Sequence, residues 1–139
     1  MEQRMLLART YAGMSYADVA RSIGIHRDSY ALLEKKADRI SLDHFVRFCR
    51  SVCADPSFIL YGSSSPPLIP LSGRTIGARI REYRQSTGLS ARQFGYLMLG
   101  AKRNTSLSAW ESGSTVPELR SLMMIGRAFG INVVSFLPD

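Results

Sequence analysis

The chain has 139 residues, with 18 Lys and Arg against 11 Asp and Glu for a formal charge of +7, and a sequence pI near 9.9. At roughly 100–200 residues per domain, this length holds one domain or two very small ones, which excludes a Rossmann enzyme with a substrate domain and a TIM barrel of about 250 residues. With 45% hydrophobic residues, six Phe, six Tyr and one Trp, there is material for a core, so wholesale disorder is excluded too.

Taken in chain order, Glu2 to Ala12 is expected as a first helix, with Met5, Ala8 and Ala12 on its apolar face. Its Met5-Leu6-Leu7-Ala8 run is cut by Arg9 and is too short for a signal-peptide core. No apolar run approaches the ~20 residues of a membrane helix, so a cytoplasmic protein is expected. Gly13 stops the first helix. Ser15 then caps a second helix that carries Val19, Ala20 and Ile23. Gly24 breaks it, and a third helix follows over Arg27 to Glu34 with Tyr30 and Leu33 inward. A fourth has the cleanest period, Leu42, Phe45, Phe48, Cys49 and Val52, and a short fifth lies near Pro56 to Tyr61. Cys49 and Cys53 are four apart in a helical stretch, a spacing that does not favour a disulfide. With His44 they make three ligands where a structural zinc site wants four. Neither a metal nor any other cofactor is expected, and no small-molecule ligand is evident.

Ser63 to Gly73 holds four Ser, three Pro and a Gly and reads as a linker. In polyproline II it would reach roughly 34 Å, although Leu68, Ile69 and Leu71 argue that part of it is pinned to one domain. Beyond it the pattern repeats. Arg9 and Gly13 lie 75 residues before Arg84 and Gly88, and Glu34, Leu42, Phe45 and Phe48 lie 77 before Glu111, Leu119, Leu122 and Ile125. A helix is expected over Ile76 to Ser86, then a Ser90 cap and a helix with Phe94, Leu97 and Met98. A longer break at Leu99-Gly100-Ala101 leads to a helix over Asn104 to Glu111 with Leu107 and Trp110 inward. A helix with Leu119, Leu122, Ile125 and Phe129 and a short one near Val133 to Leu137 complete the second copy. The period of Tyr30 and Trp110 makes both core residues. No segment reads as a strand, and the Asn104-Thr105-Ser106 sequon carries no glycan on a chain that is not exported. The chain thus reads as all-α, with domains over 1–62 and 74–139 and a Ser/Pro-rich linker over 63–73.

A small residue, a turn glycine and a capped short helix with two apolar positions three apart form the plan of a helix-turn-helix. Gly13 to Glu34 resembles the Cro and lambda-repressor type (XRE-type) DNA-binding domain. Gly88-Leu89-Ser90, Ser106 to Gly113 and Pro117-Glu118-Leu119 resemble it more plainly. The resemblance implies two five-helix lambda-repressor-like domains in tandem. It also implies a structural ion pair between the first and third helices, Arg9 with Glu34 and Arg84 with Glu111. The implied function is sequence-specific binding of double-stranded DNA by a bacterial or phage transcriptional regulator, a repressor, with no enzymatic activity.

Site residues transfer by position. The family often has Gln at the start of the second helix; here the residues are Tyr16, which can donate to a phosphate, and Ala91, which cannot. Arg92, Lys102 and Arg103 could compensate in the second copy. The outward face of the third helix offers Arg27, Asp28 and Ser29 in the first copy, with Ala31 and Leu32 near them. It offers Asn104, Thr105, Ser106 and Ser108 in the second. Arg27 suits a guanine edge, Asp28 a cytosine amine, Asn104 adenine and Thr105 the thymine methyl. His26 and Arg103 take the family's capping position and so face the phosphate backbone. The bland alternative makes Arg27 and Asp28 a solvated helix start, with Asp28 favoured by the helix dipole.

The 15 Arg among the cations suit phosphate and guanine recognition. Residues 1–62 carry nine Lys and Arg against seven Asp and Glu, a net +2, and residues 74–139 carry nine against four, a net +5. One copy could hold DNA while the other supports assembly, or the two could imitate a repressor dimer on half-sites about 34–36 Å apart. A homo-oligomer fits either. The rival is a protein-interaction module on the same fold, acting for example on a transposase or polymerase; the missing Gln favours it and the charge opposes it.

Overall fold

The computed structural model describes residues 1–99 and 106–138. The chain divides into two compact units, Met1–Ser65 and Pro66–Asp139, so the division falls inside the Ser/Pro stretch. Every regular element among the described residues is helical.

In the first unit α1 spans Glu2–Tyr11, α2 Tyr16–Ile23, α3 Arg27–Lys35, α4 Leu42–Ser51 and α5 Pro56–Tyr61, with a 3-10 turn Ala37–Arg39 before α4. Local chemistry sets these bounds. Gly13 takes the left-handed φ of 70° that lets the chain leave α1. The Ser15 hydroxyl accepts from Asp18 N–H while the Asp18 carboxylate accepts from Ser15 N–H, a reciprocal cap on α2. Ser41 caps α4 through His44 N–H, and Asp55 caps α5 through Ser57 N–H, with Pro56 in the first turn. α2 packs against α3 and α4, and α1 against α3 and α5. Met5, Val19, Ile23, Tyr30, Phe45, Phe48 and Ile59 are sealed from solvent at the centre. Tyr30 and Phe48 stack at 6.2 Å.

In the second unit α6 spans Ile76–Thr87, α7 Ala91–Leu99, α8 Ser106–Ser112 and α9 Leu119–Phe129, and a 3-10 turn Val133–Phe136 follows. Ser90 and Gln93 exchange the same pair of bonds at the start of α7 as Ser15 and Asp18 do in the first unit. An aromatic cluster fills the middle. Phe94 and Phe129 stack at 4.5 Å, and Tyr83 meets Phe94, Phe129 and Phe136 edge-on.

The segment ahead of α6 is built into this unit. Asn132 N–H donates to the Pro67 carbonyl, Ile69 N–H to the Ser135 hydroxyl, and the Ser72 and Gly73 N–H groups to the Glu82 carboxylate. The Gly73 bond is the chief reason that the Glu82 carboxyl sits below the usual carboxylate range. Gly73 lies so close to α6 that a Cβ there would come within 2.8 Å of Arg79 N.

Both units share one ionic frame. Arg9 Nε and Nη2 donate to Glu34 at 2.8 and 3.0 Å while Nη1 reaches the Met14 carbonyl. Arg84 grips Glu111 at 2.6 and 2.8 Å and reaches the Leu89 carbonyl. Each forked guanidinium thus ties the first helix to the end of the third and to the turn between the first and second. In the first unit the Tyr30 hydroxyl also donates to Glu34, at 2.5 Å. Burial, and then that bond, push its phenol far above the ordinary value.

Several sequence expectations need correction. Leu33 is only half-buried, and the second inward residue of α3 is Glu34, 6% exposed, because Arg9 and Tyr30 satisfy its carboxylate. Leu97 is exposed rather than core. Ala12 lies outside α1 as its exposed C-cap. α6 runs one residue further, to Thr87, and the last element of the second unit is a 3-10 turn that ends at Phe136.

Candidate nucleic-acid interface

The start of α3 is where the first unit presents polar side chains on a rigid element. His26 occupies the N-cap and its Nδ1 accepts from Asp28 N–H at 3.2 Å, which satisfies one of the orphan donors of the helix start. In the neutral ring this fixes the proton on Nε2, so the ring's donor is the nitrogen the cap does not use. Arg27 and Asp28 follow, with side chains 62% and 78% exposed and Arg27 Nη1 3.5 Å from Asp28 Oδ1. Solvent screens so exposed a pair, which leaves the guanidinium easily redirected to a stronger partner. Ser29 is exposed beside them, as is Leu32 one turn on; Ala31 is half-buried. Tyr30 between them points into the core, and this anchors the exposed turn.

Tyr16 begins α2 but is not simply exposed. Its ring lies under the Arg9 guanidinium, 4.4 Å from ring centroid to Cζ, and tilts against Tyr30 at 6.0 Å. The ring is therefore part of the frame that holds α3, whatever its hydroxyl does.

In the second unit Arg92 is exposed in the first turn of α7, and Ser106 and Ser108 are exposed on α8. Lys102, Arg103, Asn104 and Thr105 lie outside the described residues. The structure thus brings together His26, Arg27, Asp28 and Ser29 at one helix end, and Ser106 and Ser108 on one helix.

Among the described residues, other cations in each unit serve the fold instead. Besides Arg9 and Arg84, Arg4 donates to the Ile59 and Leu60 carbonyls, and Arg79 to those of Ser135 and Leu137. Each satisfies carbonyls at the end of the last helical segment, which have no partner within it. Sequence reading missed this pair, although the 75-residue offset that relates Arg9 to Arg84 also relates Arg4 to Arg79. Cys49 is buried, its thiol pushed up to about 12 chiefly by that burial, and Cys53 is exposed. Among the described residues, no group of three His, Cys, Asp or Glu is placed to hold a metal ion, and no helix is long and apolar enough to cross a membrane.

Compared with known proteins, the chain matches no family model, and neither a curated protein nor a solved structure matches it significantly.

Proposed function

We propose that the chain is a sequence-specific double-stranded DNA-binding regulator of transcription, a repressor of bacterial or phage type. Each unit would be a Cro and lambda-repressor type helix-turn-helix domain. The observation that carries this reading is the start of α3. His26, Arg27, Asp28 and Ser29 stand exposed on a helix whose next residue is locked in the core. A short helix so anchored can enter a major groove end-on. Arg27 would read a guanine edge, with His26 and the surrounding cations on phosphates. The repeated frame supports a second such helix, with Asn104, Thr105, Ser106 and Ser108 as its reading residues. The role is binding, not catalysis.

The test is affinity for random and selected duplexes across a salt series. Log affinity is expected to fall with log salt, with a slope of about 0.9 per phosphate contacted. Arg27→Ala and Asn104→Ala are each expected to relax selection at one base position and to cost about 1–3 kcal/mol. No binding to a randomised duplex pool at low salt would sink the proposal.

One observation favours the second reading, a protein-interaction module on the same fold. At the two helix starts where the family often has Gln, the Tyr16 ring is committed to Arg9 and Tyr30, and Ala91 has no polar group. Retained α3 structure with no DNA affinity would select that reading.

A further inference from the structure

On the first unit, α1 faces the end of α4 and α5 across an apolar groove of about 310 Å³. Leu7, Ala8 and Tyr11 line one side and Val52, Ala54 and Phe58 the other. Its origin lies in the repeat. Ala8 stands where the second unit has Tyr83, and Val52 where it has Phe129. Those two rings meet edge-on at 5.7 Å and fill the equivalent space. The register is secure. Asp55 and Asn132 both cap the following turn of helix, Cys53 and Gly130 both adopt left-handed φ values of 53° and 67°, and Ile59 and Phe136 are both fully buried.

The same face of the second unit is covered by the chain's own extended Pro67–Gly73 segment. Its anchors there are the Asn132 N–H, the Ser135 hydroxyl and the Glu82 carboxylate. The matching positions of the first unit are Asp55, Phe58 and Leu7, and all three line the groove. One backbone anchor is kept and two polar anchors have become apolar. The covering segment carries no charged residue. The groove's lining is apolar apart from Cys53 and one carboxylate, Asp55, one oxygen of which accepts from Ser57 N–H at 2.9 Å. An uncharged segment would bring no charge of its own into the groove.

We propose that this groove docks an extended, uncharged, Leu-, Ile- and Pro-bearing segment of a partner protein. The segment lies as Pro67–Gly73 lies on the second unit and is held by apolar side chains in place of the two lost polar anchors.

The test selects random eight-residue peptides on the full chain. Uncharged sequences rich in Leu, Ile and Pro are expected. Ala8→Tyr, which installs the ring that fills the second unit, is expected to weaken binding of a selected synthetic peptide at least tenfold. Leu7→Lys, at a side chain 58% exposed, is expected to do the same and guards against misfolding of the first variant. Unchanged circular-dichroism melts establish that both fold. No enrichment, charged sequences, or undiminished binding by both folded variants overturns the proposal. A concentration-dependent dimer dissolved by Leu7→Lys overturns it too, by giving the groove to a second copy.

Discussion

Glu2 and Gly77 hold the same place in the repeat and meet the same packing problem in opposite ways. In the first unit the Glu2 carboxylate reaches from α1 to Ala37 N–H at 3.3 Å. In the second, α6 comes so close to α8 that a Cβ on Gly77 would stand 1.9 Å from the Trp110 carbonyl oxygen. One contact is a long polar tether and the other is backbone against backbone. A tether absorbs change, whereas a close approach without side chains does not. The two units therefore share an ionic frame but differ in tolerance.

The largest expected effect breaks the frame itself. Glu34→Ala and Glu111→Ala should each cost about 3–5 kcal/mol, because each leaves a mostly buried guanidinium unpaired. The first unit should lose more in denaturant unfolding, since Tyr30 also loses its acceptor; equal losses would show that the tyrosine bond adds nothing. Next, Gly77→Ala should destabilise the second unit by about 1–3 kcal/mol through overpacking. Glu2→Ala should cost the first unit about 1 kcal/mol or less, the worth of one hydrogen bond. Comparable losses for the two would erase the contrast.

Smaller effects sharpen the comparison at the second helices. Ser15→Ala and Ser90→Ala should each cost about 1 kcal/mol as lost N-caps, seen as a shift in denaturant midpoint. Acid should separate them. The Asp18 carboxyl is held below its ordinary range, chiefly by the Ser15 N–H, whereas Gln93 does not titrate. The Asp18 contribution is complete above the unfolded-chain value near about 4 and is lost as pH falls through the lower folded value. Hydrogen exchange between pH 6 and 3 should show protection falling at the start of α2 and holding at the start of α7. A parallel fall at both would remove Asp18 as its cause.

Much of this was legible in the sequence wherever periodicity or turn chemistry carries the information. The α4 stripe of Leu42, Phe45, Phe48 and Cys49, with Val52 at the helix C-cap, is buried as its spacing predicts, and the Ser15 and Ser90 caps form. The ion pairs implied by the family resemblance are present with both oxygens engaged. The burial of Glu34 in place of Leu33 escaped periodicity, because a buried carboxylate looks like a surface residue until its partners are placed around it. Arg4 and Arg79 escaped because they bind backbone carbonyls, which leave no residue-type signature at the receiving end. Gly77 escaped because a close approach depends on a helix 33 residues away, at Trp110. The turn at His26 to Ser29 was named through the family resemblance, and all four residues are exposed. Its counterpart at Lys102 to Thr105 falls outside the described residues.

The Pro67–Gly73 segment also bears on how the chain can be cut. Composition draws a boundary at Gly73, but the hydrogen-bonded unit begins with the prolines. A fragment that starts at Arg74 would discard the segment that occupies Glu82 and Ser135 and would bare an aromatic-backed face to solvent, a recipe for sticky, poorly soluble protein. The natural scissile zone is Ser63 to Ser65: three exposed serines, small and polar, where a protease could nick the chain and leave each half whole.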